Sequence, residues 1–416
     1  MSVGHACVDI YQGAVAALVP FFVSERAYTY AAASGVVLAA TLLSSVVQPL
    51  FGALTDRWAM PWLLPVSTLA AGAGVALSGL GGSYALTLLA VAVTGIGVAA
   101  YHPEAARVAR DVSRGSHTAM SWFSLGGNIG FALAPLMVSA VVATAGLHAS
   151  PLLAVPALAG AALCATALRS VRTPAAATPA AATPATATAA TATAATAAAG
   201  DDWASFTKLT GAIVCRSTVF VGLSTFISLY VRQRTGAGSA SGTAALFVLY
   251  LGGAVGTVAG GRLAARYQRV RVVRWSYALT VPAVAGVVFV PGPPLYVFVA
   301  LTSAGLYVPF SLHVTLGQDY LPRRMGTASG VTLGLAVSIG GIASPAIGAL
   351  ADATSLHTAL MPLIVLPAVG WLLLRTLPEP GVPDPGGPDP NRPQEVTTPP
   401  TDGAPPAPAP DTGRRP

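Results

Sequence analysis

"GALTDRWAMP" occupies Gly52–Pro61 and "GRLAARYQRVR" occupies Gly261–Arg271. Each is a short basic break after a long apolar run. Both contain Gly-x-Leu-x-x-Arg, as Gly52/Leu54/Arg57 and as Gly261/Leu263/Arg266. The same break at the same place in two parts of one chain points to an internal repeat.

A second pair of positions agrees. Gly130 precedes Pro135 by five residues, and Gly340 precedes Pro345 by five. A spanning helix needs about 20 apolar residues, and by that measure the sequence offers twelve segments. They lie near 5–24, 30–54, 61–80, 83–104, 117–144 and 149–169, then 206–231, 242–263, 272–291, 294–319, 326–350 and 356–376. Between the two sets runs "TPAAATPAAATPATATAATATAATAAAGDD" (Thr173–Asp202), which has no large apolar side chain until its end and cannot build a core. The expected organisation is a six-helix bundle over 1–170, an Ala/Thr/Pro-rich linker over 171–204, a second six-helix bundle over 205–377 and a disordered Pro-rich tail over 378–416. Parallel repeats of six helices around a midplane site make an all-α integral membrane transporter the expected fold class.

Composition agrees. The chain of 416 residues is 54% hydrophobic and 9% charged, against about 25% charged in soluble domains. The net charge of +7 comes from arginines in short breaks rather than from a basic patch, so a lipid bilayer and not nucleic acid is the expected surface. If the N-terminus is cytoplasmic, the inside breaks hold Arg57, Arg107, Arg110, Arg114, Arg169, Arg172, Arg266, Arg269, Arg271, Arg274, Arg323 and Arg324. The outside breaks then hold only Arg26, Arg232 and Arg234. Both termini are therefore expected inside, and rich Ala, Pro and Arg usage suggests a high-GC genome and a bacterial inner membrane. The first apolar run carries Asp9 and lacks a basic flank, so it reads as a spanning helix and not a cleaved leader. Cys7, Cys164 and Cys215 sit in apolar runs without metal or redox spacing.

The layout and "GALTDR" resemble the major facilitator superfamily. "WAMP" stands where that family's loop usually continues with a glycine and basic residues, and Ala265 stands where the second half would carry the acid. "HACVDIYQGAVAALVPFF" (His5–Phe22), "YHPEAARVAR" (Tyr101–Arg110) and "FSLGGNIGFALAPL" (Phe123–Leu136) together resemble its fosmidomycin-resistance branch. The resemblance implies a monomeric, proton-driven exporter of a small-molecule drug, with the proton gradient in place of a cofactor. It implies a gating role for Asp56, Arg57 and Arg266.

The residues suggest their own roles. His5, Asp9, Gln12 and Ala16 fall on one helical face. A charge facing lipid costs about 3 kcal/mol or more, so this face should point into a bundle or cavity. Asp9 there could take up and release a proton; the rival reading is an acid that merely suits a helix start. Glu104 reaches Arg107 at i+3, a candidate gate pair that breaks on protonation, so Glu104 and His102 join Asp9 as candidate proton-coupling residues. Pro103 suggests that the helix kinks or restarts with His102 at the junction; an interfacial cap is the plainer alternative. Arg216 lies within "LTGAIVCRSTVFVGLSTFISLYV" (Leu209–Val231) and should pair with an acid, snorkel, or meet an anionic substrate such as a phosphonate. Gln12, Tyr101, Asn128, Tyr307 and His313 could line a substrate cavity or be satisfied structurally. Gly252/Gly256/Gly260 and Gly326/Gly330/Gly334 recur every four residues, as close helix packing requires.

Other functions remain open at this point. An importer of a small organic anion would use the same fold. A membrane enzyme built on His102 and Glu104 needs a nucleophile or metal constellation that the scattered histidines do not supply. A passive channel fits a two-repeat architecture poorly.

Overall fold

In lipid, a backbone must satisfy its own hydrogen bonds, which leaves these apolar runs the helix or the closed barrel. They form helices. The computed structural model describes residues 1–113, 117–171 and 200–380, and no strand occurs among them. The helices are α1 (Ser2–Arg26), α2 (Tyr30–Arg57), α3 (Leu63–Ser78), α4 (Tyr84–Val112), α5 (His117–Ala145), α6 (Val155–Val171), α7 (Trp203–Thr235), α8 (Ser239–Arg266) and α9 (Arg269–Phe289). They continue with α10 (Leu295–Tyr307), α11 (Phe310–Tyr320), α12 (Met325–Ser329), a π turn (Gly330–Leu335), α13 (Ala336–Ala353), α14 (Leu356–Leu360) and α15 (Val365–Leu374).

Ten helical stretches among the described residues are long and apolar enough to cross a membrane. Two of the twelve expected segments fall outside that set. The third is the 16-residue α3, and the eleventh is interrupted by the π turn before α13. Polar residues set several starts: Thr29, Ser83, Asp202 and Ser355 accept from the backbone N–H of Ala32, Leu86, Ser205 and Thr358.

Pro103 does not restart a helix. α4 runs through it from Tyr84 to Val112; a proline removes one ladder donor, which a long packed helix tolerates. The glycine expectation divides. A Cβ on Gly252, Gly256 or Gly260 would lie within 2.7 Å of Ser303, Tyr307 or Val308, so that stripe is a packing face. Gly326 and Gly330 have nothing within 4 Å, and Gly334 meets only the Ser45 carbonyl at 3.8 Å. That second stripe is not packed, because the π turn falls within it.

Met1–Pro380 forms one compact unit. α1 packs on α5, and α3 and α2 pack on α4; the two halves meet where α2 lies along α13 and α5 along α8. One apolar core runs from Val8, Leu18 and Val37 to Val219, Leu223 and Leu360. The linker 172–199 and the tail from 381 lie outside the described residues. The tail's start is fixed: the Glu379 carboxylate accepts from the N–H groups of Arg269 (3.2 Å) and Val270 (2.8 Å) at the head of α9.

Candidate transport site

α1 places His5 above Asp9 one turn apart, and α4 delivers His102 to the other side of the same carboxylate. His5 Nε2 lies 3.2 Å from Asp9 Oδ2, and His102 Nε2 lies 3.0 Å from Asp9 Oδ1. His5 and Asp9 are 7% and 8% exposed, so the charge is out of contact with lipid and nearly out of contact with water. The other ring nitrogens face carbonyl oxygens: His5 Nδ1 donates to Phe123 at 2.9 Å and His102 Nδ1 to Val98 at 2.8 Å. A carbonyl only accepts, so both Nδ1 atoms carry hydrogen. Each Nε2 then donates to Asp9 only when its ring carries a second proton. The three groups thus form a buried cluster of one carboxylate and two imidazoles. Their ligand-type atoms lie within 4.8 Å of one another, and this is also the one group among the described residues that could hold a metal ion.

Gly127 of α5 closes the cluster. A Cβ there would sit 2.4 Å from Asp9 Oδ2 and 2.8 Å from His5 Nε2. The His5 ring stacks on Phe123 at 4.2 Å. His102 also lines a cavity of about 470 Å³ with Gln48, Gly52, Pro103, Phe123 and Gly330. Every one of these belongs to the end of the bundle where α2 and α4 finish and α5 begins, the arginine-rich face.

One turn on, Glu104 is fully buried. Arg107 donates through Nε to Glu104 Oε2 at 3.0 Å and through Nη2 to Oε1, and its Nη1 reaches Asp111 Oδ2 at 3.3 Å. The expected i+3 pair is formed, bidentate.

The second half carries a buried charge of another kind. Arg216 is 5% exposed. Its Nε donates to the Leu306 carbonyl, and its guanidinium lies 5.2 Å from the centre of the Phe310 ring. It makes no ion pair with a carboxylate among the described residues, and it does not snorkel. Nearby His313 is buried with Nδ1 unpartnered, and its Nε2 is 3.5 Å from the Tyr277 hydroxyl. The void beside Arg216 is only about 10 Å³, so an organic anion needs a rearrangement to reach it.

The sequence profile of the Major Facilitator Superfamily matches residues 1–345. The chain belongs to the major facilitator superfamily. It is 29% identical over 376 residues to the fosmidomycin resistance protein of Escherichia coli (strain K12), covering 89% of this chain and 90% of that protein. It is 29% identical over 381 residues to an uncharacterized MFS-type transporter of Bacillus subtilis (strain 168), covering 88% and 89%. Solved folds agree at much lower identity. A bacterial homolog of the human lysosomal transporter Spinster superposes with TM-score 0.72 at 14% identity, covering 90% of this chain and 94% of that one. A nucleoside transporter superposes with TM-score 0.71 at 11% identity, covering 90% and 97%.

Within this superfamily member, the other expected site residues scatter. Gln12 is half-buried on α1. Tyr101 does not line the cavity; it is fully buried, its ring 6.1 Å from that of His5. Asn128 Nδ2 donates to the Ser124 carbonyl at 3.2 Å, and its Oδ1 lies over Gly253. Tyr307 packs edge-on against Phe220 at 5.5 Å. Arg57 is exposed at the end of α2 and Arg266 stacks over Tyr267; neither has a carboxylate partner among the described residues. The Asp56 side chain lies outside the described residues.

Sequence reading missed three contributors. His5 was visible as a residue four before Asp9, the one signal available. Gly127 and the aromatic set Phe131, Phe220 and Tyr250, which links α5, α7 and α8 with ring centres 4.9 and 6.2 Å apart, gave none. Apolar residues in an apolar helix do not announce which face they occupy.

Proposed function

We propose that this chain is a proton-coupled secondary transporter that exports a small drug or antibiotic, with an organic anion such as a phosphonate as the substrate class, by alternating access. The observation that carries the reading is the cluster of Asp9 between His5 and His102 beside an accessible cavity. A cluster that can hold different numbers of protons, opening to one face at a time, is what converts a proton gradient into movement of a second solute. Arg216 supplies the counter-charge for an anion: a buried fork with no acid of its own is a vacant partner for a carboxylate or phosphonate. The sequence relative named for fosmidomycin resistance supports export of a drug rather than uptake.

The same reading places twelve spans in halves 1–170 and 205–377, with the arginine-rich face and both chain ends in the bacterial cytoplasm. On that face, substrate enters the cavity as the cluster gives up protons. On the opposite face, protons load and substrate leaves. The protein works as a monomer, and neither a cofactor nor a covalent step is invoked. Glu104 and Arg107 serve as the gate pair behind His102.

Everted vesicles test this. Fosmidomycin added to energised vesicles should dissipate part of the interior acidity when the wild-type chain is present. Vesicles in which substrate moves with no accompanying proton flux would sink the coupling, and vesicles in which neither moves would sink the substrate class.

A further inference from the structure

On the face opposite the cavity, α2 begins with a cap it does not make alone. Thr29 Oγ1 accepts from Ala32 N at 3.1 Å, which leaves the first two N–H groups free. Both are taken by one residue of the other half: Asp352, in the last turn of α13, accepts from Tyr30 N through Oδ1 at 2.8 Å and from Ala31 N through Oδ2 at 2.9 Å. A carboxylate on two N–H groups at a helix N-terminus is charge-assisted and favoured by the helix dipole. Here the bonds cross the seam between the halves.

The seam narrows toward that end. A Cβ on Gly348 would lie 2.6 Å from the Tyr30 carbonyl, and one on Gly341 would lie 2.7 Å from Thr41 Oγ1. At Gly334, beside the cavity, the nearest atom is 3.8 Å away. α2 and the segment from the π turn through α13 therefore touch tightly at Asp352 and part toward the arginine-rich face. The companion seam of α5 and α8 lacks the device. Aligning "LH" at Leu147–His148 with "LH" at Leu356–His357 puts Ala143 where Asp352 stands, and Gly238 caps α8 with no side chain.

We infer that Asp352 is a positioning residue for the transport cycle: its carboxylate, seated on the start of α2, holds the bundle closed on the face opposite the cavity and must let go before the site opens there. This rests on the alternating-access reading above. Opening that face parts α2 from α13 and exchanges the two bonds of Asp352, itself exposed, for bonds to water, so the latch biases the resting chain toward the form described here.

Four glycines with nothing within 4 Å take probes without strain: Gly82 and Gly238 on the latched face, Gly52 and Gly261 on the cavity face. In the full-length chain, with Cys7, Cys164 and Cys215 replaced, spin labels at Gly82→Cys and Gly238→Cys report the latched face. Labels at Gly52→Cys and Gly261→Cys report the other. Asp352→Ala should raise the long-distance population of the first pair at least about fivefold and shorten the second, with Asp352→Asn, which keeps one acceptor, in between. Unchanged distances in both variants, while fosmidomycin still moves the wild-type pairs in opposite senses, would overturn the latch and leave the carrier reading standing. Wild-type pairs that never move oppositely, with or without fosmidomycin, overturn both.

Discussion

The two halves treat buried charge in opposite ways. In the first, every buried acid has a partner: Asp9 lies between His5 and His102, and Glu104 is held by Arg107. In the second, buried Arg216 has a carbonyl and an aromatic face but no carboxylate among the described residues. Among the described residues, one half thus pairs its buried acids and the other holds a buried cation with no acid beside it. A buried unpaired charge costs several kcal/mol, so a fold that retains one has some other use for it. On the transport reading proposed above, an anionic solute would bring the missing charge with it.

The sharpest way to break this comparison is Asp9→Asn. The amide fills the same space but leaves two imidazoles with no charge to share. Proton-driven export should fall to the background of the host, while counterflow of labelled substrate, which needs no net proton movement, should survive. Loss of both would make Asp9 a structural residue. Arg216→Met comes next. Apparent affinity for an anionic substrate should drop at least about tenfold, yet the variant should melt no lower than wild type, because an uncompensated charge leaves the core. Arg216→Lys keeps the charge without the fork and should fall between. A Met variant that transports normally would return Arg216 to a packing role.

Glu104→Gln should do less. Arg107 is about one-third exposed and keeps Asp111 as a partner, so the cost in stability is on the order of 1 kcal/mol after allowance for solvent screening. A transport rate reduced by a few-fold, with coupling intact, is the expected result and would leave Glu104 a gate alone; an uncoupled proton leak would show that it also carries protons.

These residues were unequally visible in the sequence. Asp9, Glu104 and Arg216 stood out because a charge in an apolar run is costly wherever it lies, and the arginine-bearing breaks gave the helical layout. The Glu104–Arg107 pair was legible because helical spacing alone brings those side chains together. What was not legible depended on contacts between helices. His102 meets Asp9 across 93 positions of chain, and nothing in either helix states that α4 lies against α1 at that height. Asp352 gave no signal, since its partners are backbone groups of α2 and carry no sequence signature. Tyr101 could have lined a cavity or been satisfied structurally; it is fully buried, with its ring 6.1 Å from that of His5.

The smallest expected effect is also the most local test of the cluster. Gly127 leaves room for the Asp9 carboxylate and the His5 ring, and a methyl group there would stand 2.4 Å from Oδ2 and 2.8 Å from His5 Nε2. Neither partner is backbone, so the clash is relieved by moving the two side chains and not a helix. The contact of His102 with the other oxygen, Oδ1, is on the far side and need not break. Gly127→Ala should therefore fold, should bind substrate as the wild type does, and should slow proton-coupled export by about threefold, because the added methyl displaces the Asp9 carboxylate from His5. Gly261→Ala, where a Cβ meets nothing within 4 Å, is the matched control and should be silent. If Gly127→Ala were equally silent in export, the close fit of α5 over Asp9 would be irrelevant to proton transfer, and the cluster would reduce to its α1–α4 contacts.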